Sequence, residues 1–406
     1  MYKNSKSERS SDDLNSRAVE ILREYLRIPT IHPDIDYEDC VAFLRRQAAS
    51  LQLPIHVHYV RPDKPVVIIT WEGTDPAKSS ILLNSHMDVV PVFEYEWTYP
   101  PFDAHMDEKG DIYARGIQDT KALGIQYLEA IRRLKLNGQR VSRTVHVSFV
   151  PDEEIGGIFG MKEYVRSEHF KSLNVSFMLD ECCGDNNTPT FLFAYDEKTK
   201  LVLSIRCEGI TGHGSLLYDN TAGEKFRVMI DRMMDFRASE KARMSQKHDF
   251  SDVTALNLTI VKGGLQNNVI PQEITAVIDV RLPPSRDPDE FEAIVKRWCE
   301  EAGPGVSYSF VEKNPQVKGT RIDDSNPFWM AFKNVFSEMG SELKPFVLPG
   351  TTDARFVRAL GIPVLNFAPI NNMTMLFHCS NECLNKDVFL KGIEIFTKII
   401  PAIANV

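Results

Sequence analysis

At 406 residues the chain exceeds what one ordinary hydrophobic core organises, so two domains are expected. Its 43% hydrophobic and 25% charged residues describe a globular protein able to bury large cores. A net charge of -9 disfavours nucleic acid or an anionic membrane as partner, and no apolar run approaches bilayer-spanning length.

The opening stretch, "MYKNSKSERSSDDLNSR", has no apolar core and no cleavage-like signal, so a cytoplasmic location is expected. Apolar residues at helical spacing follow in "LNSRAVEILREYLRI" and, beyond a proline-containing loop, in "YEDCVAFLRRQAASL". "VVIITW" and "SILLN" are strand-like aliphatic runs. "TKALGIQYLEAIRRLKLNG" is an amphipathic helix closed by Gly138. "RTVHVSFVP" predicts a strand, "GMKEYVRSEHF" a helix and "VSFMLDE" a further strand. Strands alternating with helices imply a largely parallel sheet covered on both faces.

The pattern changes near residue 199. "KLVLSIRCEG" alternates, a long helix follows through "AGEKFRVMIDRMMDFRASEKARM", and then come "ALNLTIVKGG", "EITAVIDVRLP", the helix "DPDEFEAIVKRWCEEAG" and the strand "VSYSFVE". That β-α-β-β-α-β order is the ferredoxin-like split unit. The α/β pattern resumes near residue 316 with "PFWMAFKNVFSEMG", "TDARFVRALG", "IPVLNFAP" and a closing helix, "CLNKDVFLKGIEIFTKII". The expected organisation is an α/β domain in two segments, 1–198 and 316–406, interrupted by an α+β domain at 199–315.

Seven cysteines (Cys40, Cys182, Cys183, Cys207, Cys299, Cys379 and Cys383) form no C-x-x-C pair, and an odd number fits reduced thiols. The chemistry lies elsewhere. In "SILLNSHMDVVP", His86 and Asp88 leave the carboxyl end of a strand on the same side, where open α/β sheets bind ligands. A neutral imidazole ligates zinc well, and a nearby carboxylate commonly orients it. A lone His-x-Asp is more often a surface turn. However, Asp119 sits at a loop-to-helix junction in "ARGIQDTKALG", where an N-cap is the plainer reading. Glu153 and Glu154 follow a strand side by side in "FVPDEEIGG", Asp180 and Glu181 end another, and "LFHCSNE" presents His378 with Glu382 four residues on. Two histidines and several carboxylates gathered at strand ends suit zinc, with one carboxylate able to bridge two ions.

The ordered strings "SHMDVVP", "ARGIQDTK", "FVPDEEIGG", "LDE", "GHGS", "NNVIP", "TTDAR" and "FHCSNE" resemble the two-zinc exopeptidase family, which includes glutamate carboxypeptidase, cytosolic dipeptidases and aminoacylases. The similarity runs nearly end to end, through "YARGIQDTK", "DDSNPFW" and "VFLKGIEIFTKIIPAIA". The resemblance implies two zinc ions per subunit: Asp119 bridging them, His86 and Glu181 completing one site, Glu154 and His378 the other. It implies that Asp88 orients His86, that Glu153 is the general base, and that His213 of "GHGS" stabilises the oxyanion. Asn268 and Arg355 would hold a substrate carboxylate, for which an arginine fork is well shaped. A cis peptide between Asp119 and Thr120 is implied too.

The implied activity is hydrolysis of N-acyl-L-amino acids, with a dipeptidase or a deacylase of another acylated amine as the alternative. The implied assembly is a homodimer through the 199–315 domain, with His213 acting on its neighbour's site. Met87 and Thr120 depart from residues often found in relatives; Cys182 replaces an expected glycine, and Cys379-Ser380 a more polar pair. These bear on substrate preference and leave the ligand set intact. His32, His56, His58, His105, His146, His169 and His248 match no family motif and read as structural or surface residues. A non-catalytic scaffold is disfavoured because neither a ligand nor Glu153 is lost. A nucleotide-binding module is disfavoured because no strand leads into G-x-G-x-x-G or a P-loop.

Overall fold

A computed structural model describes residues 4–184, 187–247 and 250–406, so His248 lies outside the described residues. The chain divides into two compact units. One holds the residues up to Tyr195 with Thr320–Phe346 and Thr352–Val406; the other holds Asp196–Gly319 and Val347–Thr351.

The first unit is built on an eight-stranded sheet, in the spatial order Ile55–Arg61, Lys64–Trp71, Val145–Val150, Ser80–His86, Val175–Asp180, Val364–Asn366, Phe191–Glu197 and Leu343–Leu348. The strands Val145–Val150, Ser80–His86, Val175–Asp180 and Val364–Asn366 run parallel, so their carboxyl ends share one edge. Ser80–His86 and Val145–Val150 are buried at every position, as central strands covered on both faces are, so that even His146 and Ser148 lie inside. The helix Ala122–Leu136 lies close against this centre. A Cβ on Gly124 would stand 2.4 Å from the Phe149 ring, so only glycine permits that approach. Outside it packs the helix Lys386–Ala404, with Tyr127 and Phe396 edge to face at 4.6 Å.

In the second unit four antiparallel strands lie in the order Ala255–Gly263, Glu273–Leu282, Thr199–Glu208 and Val306–Lys313. Thr199–Glu208 alternates buried and partly exposed residues along most of its length, as a sheet covered on one face requires. Leu203, Ile205, Ile278 and Val280 meet Met229, Met233, Phe291 and Trp298 from the helices Ala222–Lys247 and Pro288–Ala302.

Some local expectations change. "GMKEYVRSEHF" forms two short helices, Met161–Tyr164 and Glu168–Ser172, because the Ser167 side chain accepts from Phe170 N and restarts the helix. The strands Ile55–Arg61, Phe191–Glu197 and Leu343–Leu348 have no counterpart in the sequence reading. The first is an edge strand carrying polar residues, and its identity comes from pairing with Lys64–Trp71.

Candidate active site

His86 ends its strand opposite Val150, and the Glu153–Ile155 turn follows the neighbouring strand. Glu181 comes directly after Val175–Asp180. Asp119 stands in the Ile117–Lys121 segment ahead of helix Ala122–Leu136, and the Asp119–Thr120 peptide is cis. This segment is held from three sides. Gly116 opens it with φ +84, where a Cβ would lie 2.5 Å from Val89. The wholly buried Lys121 donates to the Ile28 carbonyl at 2.7 Å. Glu382, also buried, accepts from Arg115 Nη1 at 2.8 Å and from the main-chain N–H of Gly116, Gln118 and Asp119 at 2.9, 2.7 and 3.3 Å.

These supports bring five of the expected residues together. His86 Nε2 lies 3.0 Å from Asp119 Oδ1 and 3.3 Å from Glu181 Oε2. His378 Nε2 lies 3.3 Å from Asp119 Oδ2 and 3.0 Å from Glu154 Oε2. The result is two nitrogen–oxygen triads sharing one carboxylate: His86, Asp119 and Glu181, then Asp119, Glu154 and His378.

His86 Nδ1 donates to the Asp88 main-chain oxygen at 2.8 Å, so in the neutral ring Nε2 is a lone pair. That lone pair faces two carboxylate oxygens, an arrangement that needs a cation among the three. The separations suit one: with metal–ligand distances of about 2.0–2.2 Å, two ligands of a tetrahedral ion lie roughly 3–3.5 Å apart. The donor set therefore fits two divalent ions.

The electrostatics agree. Burial pushes Glu153 well above the usual carboxylate range, and the charge of Glu181 raises it further. Burial likewise raises Glu181 and Glu154, each also repelled by Asp119. Burial pushes Asp119 up as well, but its close contacts with the His378 and His86 rings outweigh it and hold Asp119 low. Its hydrogen bonds to the acceptors Asp119 and Glu154 lift His378 to about 10. The centre carries more negative charge than its two imidazoles offset.

Asp88 is placed differently from the expectation. Its carboxylate stands 3.6 Å from His86 Nδ1, and its main-chain oxygen takes the hydrogen bond instead. The carboxylate receives the N–H of Glu153 at 3.1 Å and of Glu154 at 3.0 Å, and faces His32 Nε2 at 2.9 Å. It secures the turn that carries Glu153 and Glu154. Glu153 belongs to neither triad.

Arg355 donates from Nη2 to the Gly156 carbonyl at 2.9 Å, while its Nη1 is buried with no protein partner. In the second unit His213 pairs with Val269 across a two-stranded ribbon, and Gly214 N donates to the Asn268 carbonyl at 2.8 Å, so His213 and Asn268 are neighbours. The sequence alone assigns no supporting role to His32, Arg115 or Asn84, nor to the acidic Glu382 and Asp180. Asn84 donates to Asp180 Oδ1 at 2.9 Å. Only Glu382, four residues beyond His378, had a usable signal: an acidic group next to a candidate ligand.

A charge-rich centre at the carboxyl end of parallel strands, with paired metal triads and a spare carboxylate beside them, defines a metal-dependent hydrolase. The model of "Peptidase family M20/M25/M40" matches residues 82–402, and the chain belongs to that family. It is 42% identical to Aminoacylase-1A of Rattus norvegicus over 391 residues, 96% of each chain. It is 43% identical to Aminoacylase-1 of Homo sapiens over 393 residues, again 96% of each. An M20 family metallo-carboxypeptidase from Sulfolobus solfataricus shares the fold, with a TM-score of 0.73 at 19% identity, covering 95% of this chain and 99% of that one. The protein is a metal-dependent amidohydrolase.

Proposed function

We propose that this protein hydrolyses N-acyl-L-amino acids to the free L-amino acid and a carboxylate, using two zinc ions per subunit. The observation that carries the reading is the pair of triads joined by Asp119, set in a chain 42% identical to an aminoacylase along 96% of its length. His86, Asp119 and Glu181 would hold one ion; Asp119, Glu154 and His378 the other. Zinc held there would polarise an amide carbonyl and lower the pKa of bound water toward neutrality. Glu153 takes the proton from the attacking water and returns it to the leaving amine nitrogen. Asp88 keeps Glu153 and Glu154 in place through their N–H groups. The unpartnered Arg355 Nη1 is suited to a substrate carboxylate, with Asn268 as a second contact. His213 donates to the developing oxyanion. A cytoplasmic setting fits this chemistry on small soluble substrates.

Assays across acetylated amino acids, simple dipeptides and acylated diamines test the substrate class; exclusive turnover of dipeptides overturns it. Metal analysis is expected to find zinc, up to two ions per chain. Chelation is expected to abolish hydrolysis and zinc to restore it. Full activity of a metal-free preparation on acetyl-methionine refutes the metal assignment.

We further propose a homodimer through the second unit, with His213 acting in the partner's site. Ile260 and Val261 on the edge strand Ala255–Gly263 are 45% and 50% exposed, and Leu265 beyond it is fully exposed. An open apolar edge of this kind favours pairing with a second copy. Mixing inactive Glu153→Ala and His213→Ala proteins under subunit exchange tests it. Half of randomly assorted dimers are mixed, and each has one complete site, so about a quarter of wild-type activity returns. No recovery on mixing rules out action in trans.

A further inference from the structure

His56 and His58 lie two residues apart on the edge strand Ile55–Arg61 and therefore project from the same face. The short helix Glu168–Ser172 brings His169 against them. The His169 ring stacks on His56 at 4.0 Å and on His58 at 5.5 Å, and one nitrogen from each of the three lies within 4.8 Å of the others. Among the described residues no carboxylate forms an ion pair with any of them. Three imidazoles massed without an anion are unusual, because each loses hydration and would repel the others if charged.

We propose that His56, His58 and His169 form a binding site for a first-row transition-metal ion, separate from the triads around Asp119. Imidazole donors suit Zn2+, Cu2+ and Ni2+, whereas Mg2+ and Ca2+ require oxygen ligands. The outer partner that such a ligand needs is present. His169 Nδ1 lies 3.0 Å from the hydroxyl of the buried Tyr164; in the tautomer that donates Nδ1–H to that oxygen, Nε2 is the ligating lone pair. Two of the rings are biased toward the neutral form. Burial, then the neighbouring His56 and His58, bring His169 down to about 4, and burial lowers His58. Ligands of one tetrahedral ion sit roughly 3–3.5 Å apart, so closing on the metal is a contraction of about 1–2 Å. His56 is exposed, and rotation of an exposed side chain takes only picoseconds to nanoseconds; turning its ring converts the stack into a convergent set. The remaining coordination positions face water.

Equilibrium dialysis of the full-length, active-site-loaded enzyme against Zn2+ tests the site. Wild-type protein is expected to retain one more equivalent per chain than His56→Asn/His58→Asn, while N-acyl amino acid hydrolysis stays equal. Tyr164→Phe is expected to weaken that extra equivalent about 10–100-fold, the usual effect of losing an outer hydrogen-bond partner. A cluster that only packs the strand edge predicts no such shift. Should the double variant fold poorly, His56→Asn alone, at the exposed position, carries the same comparison. Equal Zn2+ retention by wild type and the folded variant overturns the proposal.

Discussion

Glu153→Gln is expected to lower turnover about 10²–10⁴-fold while leaving the metal content and fold of the wild type. The amide keeps the size of the side chain but cannot accept a proton from water. The turn itself depends on main-chain N–H groups donating to Asp88, which the substitution leaves in place. Neither triad includes Glu153, so the ions keep their ligands. Burial and the charge of Glu181 raise its proton affinity, the property required of a base that must hold a proton between the two steps. Steady-state kinetics with metal analysis on one preparation separates the outcomes. Near-normal turnover in this variant assigns the base elsewhere, and loss of metal assigns Glu153 to the ligand set.

Glu382→Ala is expected to destabilise the protein by about 3–5 kcal/mol and to loosen the metal centre. Arg115 is 4% exposed at its side chain and loses its ion partner, a situation that typically costs that much. Three main-chain N–H groups around Asp119 lose their acceptor as well. Burial pushes Glu382 up to about 7, while Arg115 and the N–H groups of Gly116 and Gln118 draw it back. With donors alone facing it, the carboxylate form is the one this geometry serves. Denaturant unfolding and metal retention read the effect. Unfolding within about 1 kcal/mol of wild type, with metal affinity unchanged, refutes this role; that is the ordinary range for a substitution that breaks no buried network.

The legible features of this chain are those with a short sequence period. The apolar run of 81–83, the helical spacing of 122–136 and the alternation of 145–149 and 199–208 each follow from contacts between near neighbours. The edge strand Ile55–Arg61 is less legible because none of its residues is fully buried and two of its seven are histidines, so its identity comes from pairing rather than from an apolar run.

At the site, the chemical types of the ligands and their places at strand ends belong to the sequence itself. How their atoms pair does not. Asp119 meets His86 across 33 residues and His378 across far more, and its two oxygens are divided between them only once both loops are placed. The carboxylate of Asp88, two residues from His86, turns to the N–H groups of Glu153 and Glu154 over 60 residues away, because the parallel register sets Val150 beside His86. Glu382 reaches the Asp119 segment across more than 260 residues. Local periodicity determines which face a residue occupies, since that depends on backbone geometry over one turn or one pleat. Hydrogen-bond partners of buried charges are decided by the tertiary fold, because each must be satisfied by whichever donor the packing of distant segments delivers.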